Sequence, residues 1–354
     1  MRRVVFVCNL LVFTQFSPPL QGFCNSFHHT YLDARDQPQS TCSATEMIAS
    51  PRTNPFYVLR PLAKHFGAEA TGVDLELQPL TDEFVAQVRK DVREHRLLVF
   101  RQMPTSLSGK RQVEFSSRLG QVESTFYKHP RSPHPDVFRV SNDKNEGCTN
   151  VGRTGWHVDG TFMQAPFSFQ TMYFPSVCEG GDTQFVALKE LYASVGEATR
   201  QRWDRLWMMT GKREAPVHPL VSVHPYRGDP TMLFHCGPPF VQGWLLEAEA
   251  GTGKDQFPRG ATVLPASEVQ AEITAAIEAL AATMPESGAF VNMQWRKHDF
   301  AINDNLGLAH YASPGTQDPT AGLRVLHRTT VVGGSETVPR KTDGRRSFFM
   351  GAAS

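Results

Sequence analysis

Short apolar runs bounded by turn residues fill the second half of the chain, and they restrict its fold more than any other feature. "FQTMYF" (169–174), "EGGDTQFVAL" (179–188), "FAINDN" (300–305) and "LRVLHRTTVVGG" (323–334) each read as a strand or a turn leading into one. Helical stretches fall between them without the regular strand–helix rhythm of a parallel α/β sheet. The expected fold is therefore mainly β with helical insertions (α+β), an antiparallel barrel or jelly roll. A chain of 354 residues is long for one domain, but such barrels run well past 200 residues as a single unit. With 40% hydrophobic and 20% charged residues there is enough apolar material for one large core and too little charge for disorder.

Several elements are legible. Thr81 caps a helix in which Phe84, Val88 and Val92 recur at helical spacing, and Leu97–Phe100 reads as a buried strand. A second helix is expected over Lys110–Leu119, a long one over 188–207, and another over Ser267–Met284. "PVHPLVSVHPYRGDPTMLFHC" (216–236) reads as a hairpin turning at Arg227–Pro230. The segment after Gly334 is polar and is expected to be a loose tail, giving a folded body over 51–334, a tail over 335–354 and an N-terminal targeting or disordered segment over 1–50. The N-terminal reading comes from Arg2 and Arg3, the apolar run Val4–Phe13, and the absence of any acid before Asp33. That run is too short to span a bilayer, so no stable membrane anchor is expected in the mature chain. A secretory, organellar or cytoplasmic destination stays open.

Lys and Arg (36) nearly balance Asp and Glu (35), which gives no reason to expect nucleic acid as a partner. Cys8, Cys24 and Cys42 lie near the N-terminus; Cys148, Cys178 and Cys236 are scattered without CxxC spacing, against a disulfide framework or a zinc ribbon. A small-molecule substrate is the expected partner, with self-association left open.

The chemistry concentrates in "TGWHVDGTFMQAPFSFQ" (154–170). On a strand, i and i+2 project from one face, so His157 and Asp159 can address one ion while Val158 packs away from it. A borderline nitrogen donor and a hard oxygen donor suit Fe(II) in a two-histidine, one-carboxylate triad with open positions. "DNLGLAHYASPG" offers His310 as third ligand, and Arg324 and Arg328 follow, four residues apart. His218, His224 and His235 are read as hairpin residues rather than a second metal site. His129 and His134 lie in the loop "FYKHPRSPHPDVF", and Trp156 and Phe162 flank the ligand pair.

From about Phe66 to Gly333 these motifs, in their order, resemble the TauD/TfdA family of Fe(II)- and 2-oxoglutarate-dependent dioxygenases, taurine dioxygenase among them. "GWHVDGTF" is similar to WHxDxTF, "GGDT" (180–183) to the family's GGDT turn, "DNLGLAHYA" to DNxxxxHYA, "RVLHRTT" to RxxHRxT, and "GAEATGVDL" to GAxxxGxDL. The resemblance implies a double-stranded β-helix and the cofactor set Fe(II), 2-oxoglutarate and O2. It implies that His157, Asp159 and His310 hold the metal and that Thr183 and Arg324 receive the far carboxylate of 2-oxoglutarate. Arg328 would face the substrate or the inner end of the co-substrate. An intact Asp159 points to hydroxylation, with or without ensuing cleavage, rather than halogenation. The loop that binds a sulfonate in taurine dioxygenase differs here, but Arg153 and Lys128, with Arg328, favour an anionic or zwitterionic metabolite. The alternatives are a non-catalytic module that binds metal and oxoacid, and an Fe(II) isomerase or lyase that does not use 2-oxoglutarate.

Overall fold

A computed structural model of the protein describes residues 51–350 apart from 124–126, 153–154, 212–213, 250–257 and 259. The targeting segment expected over 1–50, like Arg153, lies outside the described residues. No helix among the described residues is long and apolar enough to cross a membrane.

The architecture is a jelly roll with helical insertions. Its larger sheet runs in the order Arg52–Thr53, Val58–Pro61, Ala68–Thr71, Leu97–Phe100, Phe300–Asp304, Phe169–Ser176, Val325–Val331 and Val122–Glu123, with Phe138–Ser141 also on Val325–Val331. The pairings are antiparallel except Ala68–Thr71 with Leu97–Phe100, which helix α1 (Asp82–His95) joins as a parallel crossover. The smaller sheet pairs Thr183–Ala187 with both Phe290–Met293 and Leu308–Ala312. Isolated bridges from His157 to His310 and to His235 extend it by two short segments.

Period-two alternation explains why the Leu97–Phe100 strand is apolar throughout. Leu98 and Phe100 face α1 and helix α2 (Gly109–Leu119), together with Phe84, Val88, Val92 and Phe115, while Leu97 and Val99 face the barrel interior with Met172, Phe174, Phe185 and Leu326. The helices therefore close one face of the larger sheet and leave the other to line the interior. Thr81 caps α1 as expected, accepting a hydrogen bond from the Phe84 N–H at 3.2 Å.

Three local expectations are corrected. The stretch 188–207 is not one helix: α3 (Leu188–Ser194) and α4 (Glu197–Asp204) are separated by extended Val195 and Gly196, and Leu206–Thr210 is a strand. Leu206, Trp207 and Met208 pair with Val241–Leu246, and that tertiary pairing overrides helical propensity. The HxD segment is not a regular strand: His157 forms single bridges, and Asp159 and Gly160 already turn. Gly160 sits at φ +81°, where a side chain would strain the backbone and meet Phe167.

The third correction concerns the segment after Gly334, which is not loose. Phe348–Phe349 adds to the strand Pro216–Pro219, His218 Nδ1 and Ser347 Oγ lie 2.6 Å apart, and Arg345 and Lys341 both reach the buried carboxylate of Glu247. Polarity misled because these polar groups are paired rather than solvated. Truncation after Val338 would remove the Phe348–Phe349 pairing, the Ser347 partner of His218 and both cations of Glu247, a loss of about 1–3 kcal/mol. Calorimetry should show a melting temperature lower by several degrees; an unchanged value would mean that the docked segment contributes nothing.

Candidate metal centre

Three short stretches of the chain meet around one cluster. His157 enters from the segment bridged to His310, Asp159 from the turn that follows, and His310 from the strand Leu308–Ala312. His157 Nε2 lies 3.7 Å from Asp159 Oδ1, and His310 Nε2 lies 3.9 Å from Asp159 Oδ2. One donor atom from each of the three lies within 4.8 Å of the others. Bonds of about 2.0–2.2 Å allow one ion to bridge each of the two measured pairs.

The surroundings suit a metal. Gly155 O accepts from His157 Nδ1–H at 2.7 Å, which leaves the Nε2 lone pair directed at the cluster. Burial pushes His310 down to about 3, so its imidazole is neutral and able to donate a lone pair. Burial alone would raise Asp159, but the Arg328 guanidinium beside it holds its carboxyl well below the usual carboxylate range. Two imidazole nitrogens and one anionic oxygen are the donor set of an Fe(II) facial triad.

Asp159 is held from several directions. Its Oδ2 accepts from Arg328 Nη1 at 3.1 Å and from the Gln170 side-chain amide. Asn305 grips its backbone: Asn305 Oδ1 accepts from the Asp159 N–H at 3.1 Å, and Asn305 Nδ2 donates to Asp159 O and Phe167 O, both at 2.8 Å. Neighbouring Asp304 accepts from Leu306 N and pairs with buried His224 at 2.9 Å. The DN dipeptide thus anchors the turn that carries the carboxylate. Val158 is fully buried, as its position between two ligands requires.

A second polar patch lies around Thr183, which pairs with Ala312 two residues along the strand from His310. Arg324 is 3% exposed; its Nε donates to Gly181 O at 3.0 Å, and its backbone N–H donates to Asn142 Oδ1 at 2.9 Å. Neither terminal guanidinium nitrogen hydrogen-bonds a protein group among the described residues. Burial pulls Arg324 down to about 10, still far above neutrality, so the buried fork is cationic. Thr183 Oγ1 accepts from Trp295 Nε1 at 2.9 Å, Trp295 stacks on Phe174 at 4.1 Å, and Arg324 lies over the same Phe174 ring at 5.5 Å. The hydroxyl and the guanidinium are therefore fixed around one aromatic pair.

Lys128 is not brought to the cluster. Its Nζ donates to Pro135 O at 3.1 Å, and it lines a loop cavity with His129, Ser132, His134, Pro135 and Val137. The connection to the site runs through adjacent Tyr127, whose ring stacks on Phe138, over which Arg328 lies at 5.1 Å. His218 bonds the Thr161 and Met163 carbonyls, and His224 bonds Asp304, so neither belongs to a second metal site. His327 meets Arg139 at 2.6 Å, away from the ligands. A further group, Asp91, Glu94 and His95, is accounted for by structure: Asp91 accepts from Tyr57 and Asn54, and Glu94 pairs with Arg52.

Two neighbours of the ligands escape sequence reasoning. His235, read there as a hairpin residue, stacks on His157 at 4.8 Å and on Phe240 at 4.2 Å. Its bridge to His157 pairs segments almost 80 residues apart, and such pairing has no local signature. Gln170 carries no signal beyond its place in a strand.

Residues 59–330 match the family described as taurine catabolism dioxygenase TauD, TfdA family. The (S)-phenoxypropionate/alpha-ketoglutarate-dioxygenase of Delftia acidovorans is 26% identical over 299 residues, covering 72% of this chain and 89% of that protein. The crystal structure of a taurine dioxygenase from Burkholderia xenovorans superposes with a TM-score of 0.62 at 28% identity, covering 84% of this chain and 97% of that one. AAD-2 in complex with Mn(II) and N-oxalylglycine shares the fold, with a TM-score of 0.57 at 20% identity over 79% of this chain and 98% of that one.

Proposed function

The chain belongs to the TauD/TfdA family of Fe(II)- and 2-oxoglutarate-dependent dioxygenases, and from that premise we propose that it hydroxylates a small organic anion, with His157, Asp159 and His310 as the iron ligands. The carrying observation is the convergence of these three side chains, with Arg328 on the carboxylate and a second, buried arginine, Arg324, whose terminal nitrogens hydrogen-bond no protein group among the described residues. When bound, the ion and 2-oxoglutarate together supply the oxidising power: O2 is consumed, one oxygen atom goes to the substrate, and 2-oxoglutarate leaves as succinate and CO2.

The residues of the chain bind, orient and shield. Arg324 and Thr183 receive the distal carboxylate of 2-oxoglutarate, because a forked cation and a hydroxyl suit an anion too far from the metal to be neutralised by it. Arg328, with its side chain 22% exposed, receives the anionic end of the substrate. Aromatic rings gather beside the ligands: His235 stacks on His157 and on Phe240, and Phe162 and Phe240 lie 6.3 Å apart. The Gly237 N–H donates to His235 Nδ1 at 3.0 Å, so the neutral ring carries its proton on Nε2 and can donate it to an oxygen of the substrate. An aromatic body with a carboxylate suits these rings and the Arg328 cation better than a compact sulfonate does. The Delftia relative is named for such a molecule.

The test is anaerobic Fe(II) and 2-oxoglutarate titration followed by a succinate-release screen over aryloxypropionates, sulfonates, amino acids and betaines. A visible metal-to-ligand charge-transfer band and succinate formation stimulated by an aryloxycarboxylate are expected. Stimulation by taurine alone would overturn the substrate class, and absence of both signals would overturn the catalytic assignment.

A further inference from the structure

We propose that Gln170 is a positioning residue for Asp159, its amide N–H holding the carboxylate in the orientation that completes the metal site. The inference rests on the reading of His157, Asp159 and His310 as iron ligands and adds to it a residue outside the family motifs WHxDxTF, GGDT, DNxxxxHYA and RxxHRxT.

Gln170 sits on the strand Phe169–Ser176, in register with Asn303 on one neighbouring strand and Thr330 on the other. Alternation puts its side chain on the interior face with Met172 and Phe174, and only 1% of it is exposed. An amide buried there is costly unless its polar atoms are paired. Among the described residues, Gln170 Oε1 has no hydrogen-bond partner, and neither polar atom of fully buried Asn303 beside it has one. The side chain's hydrogen bond goes from Nε2 to Asp159 Oδ2. Methionine would fill a similar volume without the desolvation cost, so packing does not account for the amide. What it supplies is a donor aimed at a ligand.

A carboxylate's terminal torsion is broad, and Asp159 lies in a turn rather than a strand, so its orientation depends on what holds its Oδ2, the oxygen 3.9 Å from His310 Nε2. Arg328 and Gln170, from adjacent paired strands, both donate to that oxygen. Arg328 is also the group that receives the substrate anion. Gln170 is neutral and enclosed, and it keeps Asp159 in place when the guanidinium turns to the substrate.

Fe(II) affinity measured anaerobically by calorimetry, the ligand-field spectrum of the Co(II)-loaded protein, and melting of the metal-free protein test this in Gln170→Met, Gln170→Leu and Gln170→Ala. All three variants should bind Fe(II) about 10–100-fold more weakly and shift the Co(II) bands. Gln170→Met and Gln170→Leu should melt no lower than wild type. If Gln170→Met and Gln170→Leu bind as wild type and only Gln170→Ala weakens, the residue is packing and the inference falls. If wild type itself binds no Fe(II), the ligand reading falls and takes this one with it.

Discussion

Replacing Arg324 by methionine should weaken 2-oxoglutarate binding by roughly 30- to 5,000-fold, the equivalent of about 2–5 kcal/mol for truncating one partner of a buried charged pair. The charge-transfer absorbance of the anaerobic iron protein reads this directly, as the 2-oxoglutarate concentration at half saturation. Fe(II) affinity should stay unchanged, because Arg324 contacts Gly181, Asn142 and Phe174 and none of the three ligands. Arg324→Lys should fall between the two, since an ammonium keeps the charge but loses the fork.

The same variant carries a stability signature of opposite sign. Burial lowers the folded pKa of Arg324 to about 10, below its unfolded value. A base whose folded pKa is depressed costs stability at every pH below that value, neutral pH included, and the cost is relieved only as pH rises through it. The unliganded Arg324→Met protein should therefore melt at or above the wild-type temperature, while 2-oxoglutarate should raise the melting temperature of wild type far more than that of the variant. Unaltered 2-oxoglutarate affinity in Arg324→Met would remove the co-substrate assignment of this residue.

Asp159→Ala should abolish turnover and reduce Fe(II) affinity by more than about 100-fold, because changing a group that merely touches a ligand already costs 10–100-fold. Two effects combine: an anionic oxygen donor is lost, and the Arg328 cation that it balances at 3.1 Å is left beside the ion. Asp159→Asn keeps the volume and an oxygen but loses the charge, and it should retain part of the affinity and little activity. Calorimetric Fe(II) titration with parallel succinate release separates these outcomes. An Asp159→Ala protein that binds Fe(II) as wild type does would show that the ion lies elsewhere.

Some of this was legible before any coordinates, for a physical reason. Thr81 and the 3.6-residue spacing of Phe84, Val88 and Val92 are local properties of the chain, as is the short apolar run Leu97–Phe100, and the structure repeats them. The motifs around His157, Gly180, His310 and Arg324 named the triad and the cationic strand end because metal and anion chemistry admits few residue types. Their spacing could not place Asp159 in a turn, since a one-bridge segment and a strand share the same alternation.

What the chain determined by itself is the menu: alternating strands for a jelly roll, two histidines and an aspartate able to hold Fe(II), and arginines able to receive anions. Tertiary structure decided which of the remaining groups stand beside them. It broke the segment 188–207 to pair Leu206–Met208 across a sheet, docked the polar end onto Glu247, left Lys128 in a separate loop, and set His235 and Gln170 against the ligands. Those outcomes depend on contacts between residues far apart in the chain, whose energies come from desolvation and pairing across strands, and no local propensity encodes them.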